Sequence, residues 1–189
     1  MPTRTRPAAA TIAATAVLLT ALASGAAAHE DLGAGGGDLS IARATSARDH
    51  NTAFAEADGY VLPPVGPLHE CIASRDPLHP GGMGYHLING PAVGDAVLDP
   101  ATPEVLVYEK KPDGAMRLVA LEYVVFKEAW EAENGPTVPH LFGRAMTEVM
   151  EPNRYELPGF YQIHVWLWKH NPSGLFADHN PRVSCPPVG

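Results

Sequence analysis

Three ionisable residues sit where apolar ones are expected. His86 is central in Gly84–Asn89 (GYHLIN), Glu122 in Met116–Phe126 (MRLVALEYVVF) and His164 in Phe160–Lys169 (FYQIHVWLWK). All three runs read as β-strands. A charge on a buried strand face is costly unless it is paired, so each of these groups needs a partner. Two imidazoles and a carboxylate form a common ligand set for Zn²⁺ or Fe²⁺, and they leave positions free for water or substrate. His86, Glu122 and His164 are therefore the candidate metal ligands, and zinc, iron and copper the candidate ions. No local ligand spacing such as H-E-x-x-H ties the set together. A buried His–Glu pair that only satisfies itself in a core is the competing reading.

Side-chain alternation sets the surroundings of this trio. In the last strand Tyr161, Ile163, Val165 and Leu167 share one face, while Gln162, His164, Trp166 and Trp168 share the other. Two tryptophans beside a histidine suggest a second core layer or a ligand-facing concavity, because exposed aromatic patches need a cover. By the same alternation Glu122 shares a face with Met116, Leu118, Ala120, Val124 and Phe126. The expected pocket holds Trp166 and Met116 against the trio. Tyr85 or a water completes the site, and His140, in PHLFG, is a fourth candidate ligand. A second reading makes Trp166 and Trp168 the platform of a non-catalytic carbohydrate- or aromatic-binding module. A third is an envelope protein with a structural role and no site.

Other chemistries lack their residues. The chain has no G-x-S-x-G elbow and no phosphate loop, and Ser173 in Asn-Pro-Ser-Gly reads as a turn residue. A glycosidase needs two placed carboxylates, and only Glu122 is placed. His170 and His179 fall in turns, His69 and His79 in a proline-rich stretch, and His50 on a wet helix face. His29 as a mature N-terminus would offer an amine and an imidazole to copper. A Gly-rich tail is a poor platform for such a site.

The elements that must carry these residues form an α+β fold. A helix is expected over Leu39–Asp58, with Asp38 or Ser40 as cap and Gly59 as stop. Tyr60–Pro80 reads as irregular. Pro103–Lys110 and Met116–Phe126 flank the turn signal Pro-Asp-Gly, Lys127–Glu133 reads as one or two helical turns, and Leu141–Met150 is ambiguous, a short helix being one choice. Strands come in runs, with no βαβ alternation. The expectation is a mainly antiparallel curved sheet of four to five strands, an N-terminal helix packed across it and long ordered loops.

The N-terminus reads as an export signal: Arg4 and Arg6, an apolar run from Thr11 to Ala23, and Ala26-Ala27-Ala28 before a cleavage point. The run is shorter than the roughly 20 residues of a spanning helix, so no membrane span is expected after cleavage. Residues 1–28 are thus assigned to the signal, 29–38 to a flexible Gly-rich linker and 39–189 to a single globular domain. The chain is secreted, periplasmic or extracellular on this reading. Its formal charge of −8 argues against nucleic acid or an anionic membrane as partner and leaves an unidentified small molecule. The two cysteines, Cys71 and Cys185, are expected to form a disulfide after export.

From about Thr45 to Cys185 the chain resembles a family of secreted bacterial proteins to which no activity is assigned. The resemblance rests on ADGY (57–60), GMGYH (82–86), PEVLVY (103–108), EY (122–123), LFG (141–143), HVWLW (164–168) with NPSG (171–174), and NPRVSC (180–185). It implies export and one compact domain, and it implies no reaction. His179 stands where that family would carry an aromatic residue.

Overall fold

The computed structural model describes residues 26–186, with side chains from residue 35 onward. The leader assigned to residues 1–28 lies almost wholly outside the described residues. Helix α1 spans Ala26–Ser46 and leads through a 3-10 turn, Ala47–His50, into α2, Thr52–Ala57. Two expectations differ here. The helix crosses the segment read as a Gly-rich linker, and the single helix drawn over Leu39–Asp58 is broken at Asn51. Asn51 adopts extended backbone, and its side chain accepts a hydrogen bond from Ala53 N, starting a new helix. Glycine costs a helix about 1 kcal/mol relative to alanine, but Gly35 is buried where a Cβ would lie 2.9 Å from the Phe142 carbonyl oxygen. Only a residue without a side chain lets α1 approach so closely. Gly59 (φ +92°) ends α2, as expected.

The strands are β1 (Ile72–Ala73), β2 (Gly82–Ile88), β3 (Val105–Lys110), β4 (Met116–Phe126), β5 (His140–Leu141), β6 (Arg144–Ala145), β7 (Thr147–Val149) and β8 (Phe160–Val165). Two short helices, α3 (Gly90–Val93) and α4 (Lys127–Asn134), follow β2 and β4. Six strands form one antiparallel sheet in the order β1-β2-β3-β4-β8-β7, while β5 and β6 pair separately. The α+β expectation holds, with one strand more than foreseen. The two edge strands, β1 and β7, have only two and three residues, too few for a pattern to show. The ambiguous stretch Leu141–Met150 holds the end of β5, then β6 and β7, three short strands and no helix. Phe142 (φ +54°) and Gly143 (φ +70°) turn β5 into β6 through the positive-φ pair that matches the twist of a two-residue hairpin.

Each face of the main sheet carries its own core. Leu106, Tyr108, Leu118, Leu121, Tyr123, Val125, Ile163 and Val165 pack with Ala42, Ala55, Phe142 and Met146 on the helix side. Val105, Val107, Val119, Ala120, Val124, Phe160 and Trp166 pack with Val93 and Val183 on the other side, covered by α3 and the C-terminal segment. A bulge corrects the alternation expected along β4. Val107 opposes Ala120 while Tyr108 opposes Leu118, so Val119 is the extra residue. Met116 and Leu118 consequently belong to the helix-side core and not to the Glu122 face.

The chain ends on the second face. Gly82 and Asn180 exchange backbone hydrogen bonds of 3.2 and 3.0 Å, and Val183 is buried. The Cys71–Cys185 disulfide forms as expected, with Cα atoms 5.3 Å apart. A Cβ on Gly82 would stand 2.8 Å from Cys185 Sγ, which explains the glycine there.

Candidate metal centre

Cross-strand register builds the centre. Glu122 on β4 and His164 on β8 are direct partners, and neighbouring pairs on one face bring side chains into contact. His86 lies on β2, with β3 between it and β4. It opposes Val107, which opposes Ala120, so it sits one row from Glu122 on the same face. The curl of the sheet lets it lean across. Gly84 contributes with φ +123°, where a Cβ would lie only 2.5 Å from the Tyr108 carbonyl oxygen. That position brings β2 close to β3 two residues before His86.

The three side chains meet below the surface. His86 Nε2 is 3.4 Å from Glu122 Oε2, and His164 Nε2 is 3.6 Å from Glu122 Oε1. The imidazoles stand edge to face with centroids 6.0 Å apart. One ligand atom from each of the three lies within 4.8 Å of the others. All three residues are buried, His164 completely. His86 Nδ1 and both ring nitrogens of His164 have no hydrogen-bond partner. Buried polar nitrogens without partners are rare in native folds and ask for a reason.

Burial and neighbouring charge set the protonation states. Burial, with His164 nearby, pushes His86 down to about 3, so its ring is neutral. Burial raises Glu122, opposed in part by His164. Burial alone would lower His164, but the carboxylates of Glu122 and Asp178 overcome it and raise its pKa.

No protein-family model, curated protein or solved structure matches the chain. The chemistry has to be read from the site.

Asp178 is the participant that strand patterning missed. Its Oδ1 lies 3.6 Å from His164 Nδ1, and its own pKa is lowered chiefly by that contact. A carboxylate behind a histidine is the arrangement that orients a metal ligand and raises its basicity. Asp178 sits in a loop held by Asn171, whose Nδ2 donates to His179 O and whose Oδ1 accepts from Ser173 N. Trp166 fixes the same loop: its N donates to Leu175 O and its Nε1 to Ala177 O, the latter at 2.6 Å. The motif HVWLWKHNPSG therefore works through Trp166 as a loop anchor. Alternation cannot place Asp178, because a loop has no period. His179, beside it, is half-buried with Nε2 unpartnered and its pKa lowered by burial.

The remaining candidates separate. β8 ends at Val165, so alternation fails beyond it. Trp166 is buried on the side of the trio. Trp168 packs on the helix side, where its Nε1 donates to Ser46 Oγ, the Arg43 guanidinium lies over its ring at 4.3 Å, and His50 meets it edge-on. The two tryptophans do not form one platform. His140 is exposed on β5 with Nδ1 at 3.1 Å from Val138 O, away from the trio. Tyr85 is half-buried, and as the neighbour of His86 along β2 it points to the opposite face.

An apolar cavity of about 160 Å³ opens beside the trio. Val93, Val105, Val124 and Phe160 wall it, Leu68, Tyr155 and Leu157 also line it, and His86, Glu122 and Gln162 are its polar groups. The Tyr155 hydroxyl donates to Met83 Sδ, and its ring lies tilted against Phe160 with centroids 6.0 Å apart.

Proposed function

We propose that this chain is an exported binding domain whose pocket holds a divalent metal on His86, Glu122 and His164. One observation carries the reading: three buried donors converge from three strands, and three of their four imidazole nitrogens make no hydrogen bond. A self-satisfied core pair would show hydrogen bonds instead. The carboxylate of Glu122 faces both rings, its Oε2 at 3.4 Å from His86 Nε2 and its Oε1 at 3.6 Å from His164 Nε2, and one ligand atom from each residue lies within 4.8 Å of the others. A neutral His86 and the Asp178-backed His164 suit ligation. Zinc, iron(II) and copper all accept this donor set. Bound there, a metal would supply Lewis acidity or lower the pKa of a coordinated water.

Export is part of the proposal. It rests on the leader-like N-terminus, on the resemblance to secreted proteins and on a disulfide of the kind that persists in oxidising compartments. Among the described residues no helix is long and apolar enough to cross a membrane. The partner proposed for the pocket is a small molecule.

Metal content measured by mass spectrometry on protein purified without chelators tests the reading. Near-stoichiometric metal is expected, with loss in Glu122→Gln and His164→Ala. A metal-free protein whose melting temperature does not respond to added zinc, iron(II) or copper overturns it, and leaves the trio a structural core cluster.

A further inference from the structure

We infer that the cavity beside the trio takes a short-chain monocarboxylate, its tail among Val93, Val105, Val124 and Phe160 and its head on the metal held by His86, Glu122 and His164. This deepens the metal reading and rests on it.

Size sets the first limit. A dry cavity of about 150 Å³ holds one benzene, so the 160 Å³ here suits roughly six to nine heavy atoms. Lining chemistry sets the second. The walls are mainly aliphatic and aromatic, and His86 and Glu122 of the trio supply two of the few polar side chains among them, which selects a molecule with an apolar body and a single polar head. Charge chooses the head. A divalent ion with neutral His86, neutral His164 and anionic Glu122 carries a net charge of +1 at a buried site. Leaving net charge in an apolar cavity is costly. Asp178 offsets part of it, but its side chain is 44% exposed and screened by water on the far side of His164. A monoanion whose oxygen reaches the metal neutralises the charge from within the cavity, whereas an alcohol or an amine does not.

Titration calorimetry of zinc-loaded protein, with butanoate, pentanoate, hexanoate, hexanol and hexylammonium as probes, tests this. Affinity should rise about fourfold per methylene up to hexanoate. It should fall at least about tenfold when the head is hexanol or hexylammonium, or when zinc is removed. Val124→Phe fills the cavity, and Gly90→Trp places bulk at its lining, where an added Cβ meets nothing within 4 Å. Both should weaken hexanoate while metal content is retained. Equal affinity for hexanoate and hexanol, affinity indifferent to zinc, or affinity unchanged in both variants overturns the inference. Bound zinc with no hexanoate binding overturns it too and leaves the metal site standing. Absence of zinc in the same samples is the separate failure of the metal reading, and it removes this inference as well.

Discussion

At the scale of single residues, the trio divides its work by protonation. Burial, with His164 nearby, holds His86 down to about 3 in the folded chain, whereas an unfolded chain protonates it near the ordinary 6.5. Between those values the unfolded state binds the extra proton, so metal-free stability falls as pH drops from about 6.5 towards 3. The slope from this residue is at most about 1.4 kcal/mol per pH unit. Urea titrations of chelated wild type and His86→Gln should show a shallower acid limb in the variant. Parallel limbs would remove His86 as the cause. In the proposed centre Asp178 acts on the metal through His164. Asp178→Asn should weaken zinc about 10- to 100-fold in a chelator competition. Thermal stability without metal should change little, because the residue is half exposed. All three candidate ligands were legible in the sequence, because each broke an apolar strand pattern. Asp178 was not, since only the folded loop from Asn171 to Asn180 carries it to His164.

At the scale of elements, backbone geometry decides whether the candidate ligands meet. Gly84→Ala places a methyl 2.5 Å from the Tyr108 carbonyl oxygen at a φ of +123°. The strain should cost about 1–3 kcal/mol. It should also lower metal occupancy by displacing His86 two residues on. Gly90→Ala, with open space around its Cβ, should leave both unchanged. Thermal denaturation with metal analysis compares the two, and equal behaviour would mean that β2 is not held by Gly84. The longest strand, β4, was legible to the residue at both ends, because an eleven-residue, mostly apolar run lies between a Pro-Asp-Gly turn and a charged helix. Its partition between faces was not. One bulge at Val119 moved Met116 and Leu118 to the helix side, and bulges arise from pairing, which a single strand does not display. The same limit explains Trp168, which alternation put beside His164 and the end of β8 releases to the helices. The helix through Gly35–Gly37 was missed because its support, Phe142, is remote in sequence.

At the scale of the molecule, the C-terminal segment is a clamp over the second core. It pairs Asn180 with Gly82, buries Val183 and ends in the bridge to Cys71, closing a loop of 114 residues. The chain-entropy model assigns such a loop about 4–5 kcal/mol. Replacing both cysteines by serine should lower the denaturation free energy by about that amount in urea titrations. A loss under about 1 kcal/mol would mean that the segment holds without its bridge. The three ligands are far apart along the chain: 36 positions separate His86 from Glu122 (122 − 86) and 42 separate Glu122 from His164 (164 − 122). No short peptide contains two of them, and only the paired sheet assembles a nest of donors. A growing or unfolded chain does not present the three together, so on the proposed metal reading loading follows folding. The ion acquired is then chosen by the fluid in which the sheet closes, so the same polypeptide refolded in different metal mixtures should carry different cargo.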